Sequence, residues 1–169
     1  MTVIKEVNGK NPKYGDNCWF SETSVLIGEV IMGSNCTVWY NAIVRGDVNY
    51  IKIGDNTNIQ DGAVIHCTYQ KAGTDIGSNV SVGHNAIVHG CTIEDNVLIG
   101  MGAIVMDKAI VKSGSIIGAG AIVLQNQIIE PNSVYVGNPA KRVKDIGEEG
   151  KALIERTALN YIKYAGWFR

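Results

Sequence analysis

The chain has 169 residues, with 15 Lys and Arg against 16 Asp and Glu, for a net charge of −1. That length suggests one domain with its own core, and the balanced charge gives no basic surface for nucleic acid or an anionic membrane. No apolar run is long enough to span a bilayer, and the opening MTVIKEVNGK lacks the apolar centre of a signal peptide, so a cytoplasmic location is expected. Cys18, Cys36, Cys67 and Cys91 form no CxxC pair and read as small buried hydrophobes in a reducing compartment. Glycine is frequent (20) and phenylalanine rare (2), which fits a turn-rich architecture better than a helical bundle.

In chain order, a first, less regular stretch carries Met32, Val38 and Val44. From there aliphatic residues recur every six positions: Ile53, Ile59, Ile65; then Ile76, Val82, Val88; then Ile93, Ile99, Val105, Val111, Ile117, Val123 and Ile129, closed by Tyr135. The fourth residue after each is mostly small or branched, as at Ala63, Ala86, Ala103 and Ala121, with Gln127 an exception. An amphipathic helix needs apolar residues at 3.6-residue spacing, and a sandwich of short strands needs no constant period. A six-residue period predicts an all-β solenoid in which each hexapeptide supplies one short strand and one corner, with three to a coil. VGNPAKRV (Val136–Val143) reads as its exit, giving a solenoid over 1–143 and a terminal segment over 144–169 in a single domain. Within that segment residues 148–166 are predicted to form one helix, with Leu153, Thr157, Ala158, Tyr161, Ile162 and Ala165 on the face that packs against the solenoid. The repeat resembles the hexapeptide-repeat, left-handed parallel β-helix proteins over roughly residues 11 to 140, and the left hand is implied by that resemblance alone.

The three histidines, His66, His84 and His89, all fall within 24 residues of the repeat. Imidazole is the commonest protein metal ligand, and three imidazoles with one open position make a catalytic zinc arrangement. Ile65 and Ile76 are eleven apart, so five residues are inserted, and the polar TYQKAGTD (Thr68–Asp75) is expected to loop outward. Val88 then lies one coil above Ile65, which stacks His89 on His66. Val44 lies one coil below, with Arg45 under His66, if Asn49, Tyr50 and Ile51 bulge out. By the same count Asp61 stacks under His84. His84 belongs to the preceding face, about 16 Å of extended chain from His89, too far for ligands of one metal unless the chain bends sharply. A symmetric oligomer closes the site instead, one subunit offering His66 and His89 and its neighbour His84.

RGD (Arg45–Asp47), NIQDGAVIH (Asn58–His66) and VGHNAIVHG (Val82–Gly90) resemble, in order and spacing, the motif set of γ-class carbonic anhydrases. The resemblance implies a homotrimer with zinc (or ferrous iron or cobalt) at each interface, held by His66 and His89 of one subunit and His84 of the next. It implies that Gln60 hydrogen-bonds the metal's water or substrate and that Asn58 lines the pocket. It implies further that Arg45, Asp47 and Asp61 form a cross-subunit ion-pair network and that Tyr161 approaches the metal. The substrate pair would be CO2 and bicarbonate. Two glutamates of the family's best-characterised type are missing: Val48 follows RGD, and the inserted loop carries only Lys71 and Asp75 as charges. Three other readings remain open: a hexapeptide-repeat acyltransferase with a histidine general base, a metal-dependent thioesterase, and a non-catalytic metal-binding scaffold.

Overall fold

The computed structural model describes residues 1–169 as a left-handed parallel β-solenoid of about seven coils with one helix at its C-terminal end. The solenoid starts ahead of the regular repeat, since Val3–Lys5 already pairs in parallel with Val25–Ile27. Three faces follow one another around each coil. The first stacks the leading halves of Val25–Met32 and Ile43–Ile53, then Val64–His66, Ile87–His89, Ile104–Val105 and Ile122–Val123. The second stacks the trailing halves of those two long strands, then Thr74–Ile76, Thr92–Ile93, Ile110–Val111 and Ile128–Ile129. The third runs from Trp19–Phe20 through Thr37–Val38, Asn58–Ile59, Ser81–Val82, Leu98–Ile99 and Ile116–Ile117 to Ser133–Val136. Strand Lys141–Asp145 then reverses and pairs antiparallel with Ser133–Val136.

The period-six aliphatics point inward. Val44, Ile65, Val88, Val105 and Val123 form one fully buried column and Val38, Ile59, Val82, Ile99 and Ile117 another, with Ala63, Ala86, Ala103 and Ala121 filling the corners between them. Each coil thus buries its aliphatic residues against the coils on either side, which is where a solenoid's stability resides.

The corners explain the abundance of asparagine and glycine. The corner into the third face holds Asn35, Asn56, Asn79 and Asn96 at φ between 56° and 58°, a left-handed conformation that asparagine tolerates better than most residues. Their amides form a ladder, each donating to the next coil at 3.1, 3.1 and 3.3 Å. The corner into the first face uses Asn41, Gly62, Asn85, Gly102 and Gly120 in the same way. Lys108, exposed at φ 58°, is the only such residue outside glycine, asparagine and Gln70. Replacing Lys108 by glycine should raise stability by about 1 kcal/mol, read as a higher urea midpoint at unchanged m-value.

Two sequence expectations are corrected. The long strand Ile43–Ile53 does bulge, but between Gly46 and Ile51: Gly28 pairs with Gly46 and Val30 with Ile51. Asp47, Val48, Asn49 and Tyr50 therefore occupy the bulge, while Ile51 returns to the core fully buried. The helix spans Gly147–Ala165 and buries Ile154 (3% exposed), Ala158 and Ala165. Leu153, expected on the packed face, is 37% exposed. The seam runs at positions 154, 158, 161 and 165, and its small alanines let the helix lie close to the solenoid. No helix is long and apolar enough to cross a membrane.

Candidate metal centre

Parallel pairing sets His89 directly over His66. Their rings are tilted by 59°, with His66 Nδ1 3.1 Å from His89 Nε2. Two nitrogens bound to one tetrahedral zinc lie about 3.3 Å apart, from bonds of about 2.0–2.1 Å. The other nitrogen of each ring is held by a carboxylate: His66 Nε2 by Asp47 Oδ1 at 3.1 Å and His89 Nδ1 by Asp107 Oδ1 at 2.5 Å. A carboxylate only accepts, so those nitrogens carry the protons and the facing pair carries lone pairs. With both rings neutral, the two facing lone pairs are placed where one cation could bridge them.

His84 follows Val82 on the corner between the third and first faces. Its Nδ1 lies 2.9 Å from Asp61 Oδ2, the expected stacking partner, and its Nε2 lies 3.2 Å from the Tyr161 hydroxyl. Here too a carboxylate holds one nitrogen and leaves the other with a lone pair. Beside it Gln60 Nε2 donates to Asn58 Oδ1 at 3.0 Å, and Asn58 Nδ2 donates to Ser81 Oγ at 2.8 Å, all three residues buried. An apolar groove lined by Gln60, His84, Leu98, Met101, Ile116 and Tyr161 runs along the helix.

The residues singled out in the sequence thus gather in two groups, with the width of the first face between them. Arg45, Asp47, His66 and His89 lie at its far edge, and Asn58, Gln60, Asp61, His84 and Tyr161 at its near corner. Within one chain no three His, Cys, Asp or Glu side chains converge on a point. Arg45 pairs with Asp47 at 2.6 Å, whereas Asp61 is engaged by His84 and has no arginine of its own chain.

The electrostatics around His66 favour its neutral form. Burial lowers the pKa of His66, with the positive charge of Arg45 adding to it, against the opposing hydrogen bond to Asp47. Burial works against ionised Asp47, but hydrogen bonds from Arg45 and His66 outweigh it and hold the carboxyl below its usual value. Asp107 behaves likewise, with hydrogen bonds to Thr68 and His89 outweighing burial. Burial, with Asp61 and Tyr164 adding, pushes the Tyr161 phenol up to about 12, so it remains a donor at neutral pH.

Asp107 was missed by the sequence reading. The repeat count tracks strands, and Asp107 reaches His89 across a corner from the coil above. The available signal was an acidic residue one coil above Gly90, where a small residue leaves room beside the histidine.

Residues 90–125 match the family described as "Bacterial transferase hexapeptide (six repeats)". A "probable carbonic anhydrase" of Methanocaldococcus jannaschii is 47% identical over 147 residues, covering 87% of this chain and 92% of that protein. A "carbonic anhydrase" of Geobacillus kaustophilus is 38% identical over 167 residues, covering 99% and 91%. The chain belongs to the γ-class carbonic anhydrase family of hexapeptide-repeat proteins. The family extends to "Gamma carbonic anhydrase 2, mitochondrial" of Arabidopsis thaliana, 37% identical over 168 residues, which cover 96% of this chain; the chain spans 60% of that longer protein. Among solved structures, a "hexapeptide transferase family protein" from Anaplasma phagocytophilum superposes with a TM-score of 0.94 at 34% identity, covering 99% and 98% of the two chains.

Proposed function

We propose that this γ-class chain is a homotrimeric, metal-dependent carbonic anhydrase that hydrates CO2 reversibly at sites shared between subunits. The observation that carries this reading is the arrangement of the three histidines: each gives one nitrogen to a carboxylate and keeps the other as an acceptor, turned towards each other in His66 and His89 and towards the Tyr161 hydroxyl in His84. Such carboxylate–histidine pairs recur around protein-bound metals because they fix tautomer and orientation. His66 and His89 of one subunit would hold the metal with His84 of the next. Three neutral imidazoles suit zinc and also accept ferrous iron or cobalt.

An assembly is supported by the first face itself. Val25, Ile43, Val64, Ile87, Ile104 and Ile122 stack in register along its outer surface, an apolar column flanked by the two histidine groups. A second copy covering that column would bring one group against the other and close a ring, and Arg45 would gain Asp61 of the neighbouring subunit as a partner.

A bound divalent metal supplies Lewis acidity, lowering the pKa of water towards 7. The chain's own residues supply the rest. Leu98, Met101 and Ile116 offer an apolar wall suited to CO2. The Gln60 amide, fixed by its bond to Asn58, is held as a neutral dipole that orients an oxygen nucleophile without adding charge. Tyr161 adds a phenol that stays protonated. Tyr161→Phe keeps the ring packed against Trp39, 5.2 Å away, so thermal stability should hold while kcat/KM for hydration falls about tenfold. Unchanged kinetics would restrict this tyrosine to packing.

The deciding experiment is stopped-flow CO2 hydration on protein of known metal content, loaded anaerobically with ferrous iron and separately with zinc. Metal-dependent hydration, lost in His66→Ala, is the expected result. Full metal occupancy without hydration would reject CO2 as substrate and turn the test to acyl thioesters.

A further inference from the structure

Asp107 stands at the junction of two structures that the repeat does not connect. One carboxylate oxygen lies 2.5 Å from His89 Nδ1 and the other 2.5 Å from the Thr68 hydroxyl, at the first residue of the inserted loop. The space for this carboxylate is reserved. Gly90, at φ 57°, follows His89, and a Cβ there would lie 2.7 Å from Asp107 Oδ1. The far end of the loop is fastened to the same two ligand strands: buried Thr74 donates through its hydroxyl to the His66 carbonyl at 2.5 Å and accepts from the Gly90 amide at 2.9 Å. The loop is pinned from the bulge side as well, by Asn49 Nδ2 donating to the Thr68 carbonyl and the Tyr50 hydroxyl donating to Asp75.

The geometry points to Asp107 as a positioning residue for the metal site: it sets the tautomer and ring angle of His89 and clasps the inserted loop to the ligand strands. This inference rests on the metal reading of the three histidines. Because a carboxylate cannot donate, it fixes the proton on Nδ1 and leaves the Nε2 lone pair facing His66. Without it, neutral His89 can place its proton on Nε2, where no ligand bond can form. Thr68 restrains the carboxylate from its other side, so the loop sequence contributes to ligand orientation without touching the metal.

The test compares wild type, Asp107→Ala, Asp107→Asn and Thr68→Val by Co2+ and Zn2+ affinity in chelator competition, and by the 15N spectrum of the imidazoles in metal-free protein. Asp107→Ala should bind metal 10- to 100-fold more weakly, roughly the range for loss of such partners, and its His89 should shift towards the Nε2–H tautomer. Asp107→Asn, which keeps an acceptor, should recover part of the affinity and the wild-type 15N pattern, and Thr68→Val should lose a few-fold. Equal affinity and an unchanged 15N pattern in Asp107→Ala would overturn the assignment. Should the alanine variant fail to fold, Asp107→Asn and Thr68→Val carry the test, and wild-type affinity in both overturns it. A wild type that takes up neither metal would instead overturn the metal reading and this inference with it, a result distinct from equal binding by all four proteins.

Discussion

Mixing two inactive variants should restore activity. In the proposed homotrimer, His66→Ala and His84→Ala each remove one metal ligand from every site, so each alone should lose tight metal binding and CO2 hydration. The two lesions lie in different groups of residues, one at the far edge of the first face and one at its near corner. When subunits of both kinds are unfolded, mixed and refolded, some interfaces join an intact His66–His89 pair to an intact His84. Random assembly of equal amounts makes about a quarter of all interfaces intact, since each side must be of the right kind. Metal content and hydration should recover to about that fraction of wild type. His66→Ala mixed with His89→Ala should recover nothing, because both lesions fall on the same side of every interface. Equal recovery in the two mixtures, or none in the first, would reject a site shared between subunits.

Gly100→Val should unfold the middle of the solenoid. Gly83, Gly100 and Gly118 form a column at the corner leaving the third face, where successive backbones approach closely. A Cβ on Gly100 would lie 2.5 Å from Ala119 N and 2.7 Å from both Gly118 C and Ile117 O, all of them backbone atoms that cannot swing aside. Opening the spacing would break the bonds Gly100 N to Ile117 O at 2.7 Å and Gly118 N to Tyr135 O at 2.8 Å, and would loosen Ile99 and Ile117 in the core. We expect a loss of more than about 3 kcal/mol, from overpacking combined with broken backbone hydrogen bonds. Equilibrium urea unfolding measures it, and a change under about 1 kcal/mol would mean that the coils can spread at that corner. Glycine there also keeps the groove beside His84 open, so any folded remainder should bind substrate poorly.

The six-residue period was enough to place most side chains to within one coil. Counting from Ile65 to Val88 stacked His89 on His66, and counting from Ile59 to Val82 put Asp61 beneath His84; both contacts are present. The period failed where the chain leaves it. Three surplus residues had to be put somewhere between Val44 and Ile53, and Ile51 was placed outside although it is an aliphatic residue that the core can bury. Pairing with Val30 decides the matter, and that long-range partner cannot be read from local spacing. Leu153 and Ile154 posed the same problem on the helix, where two adjacent aliphatics compete for one seam and the solenoid surface chooses between them. Asp107 was hidden for a different reason: its contact crosses a corner, and corners are where residues of similar repeat position point in different directions.

The antiparallel strand at the C-terminal end has a consequence for how these molecules behave at high concentration. Parallel coils can in principle add without limit, since the last coil presents the same hydrogen-bonding edge as every coil before it, and two such ends could join into a filament. Lys141–Asp145 reverses direction and covers the edge of Ser133–Val136 with a charged KRVKD segment. Charged, reversed edges resist strand addition. The cap thus guards the end of the third face, while the apolar column of the first face remains at the side of the solenoid.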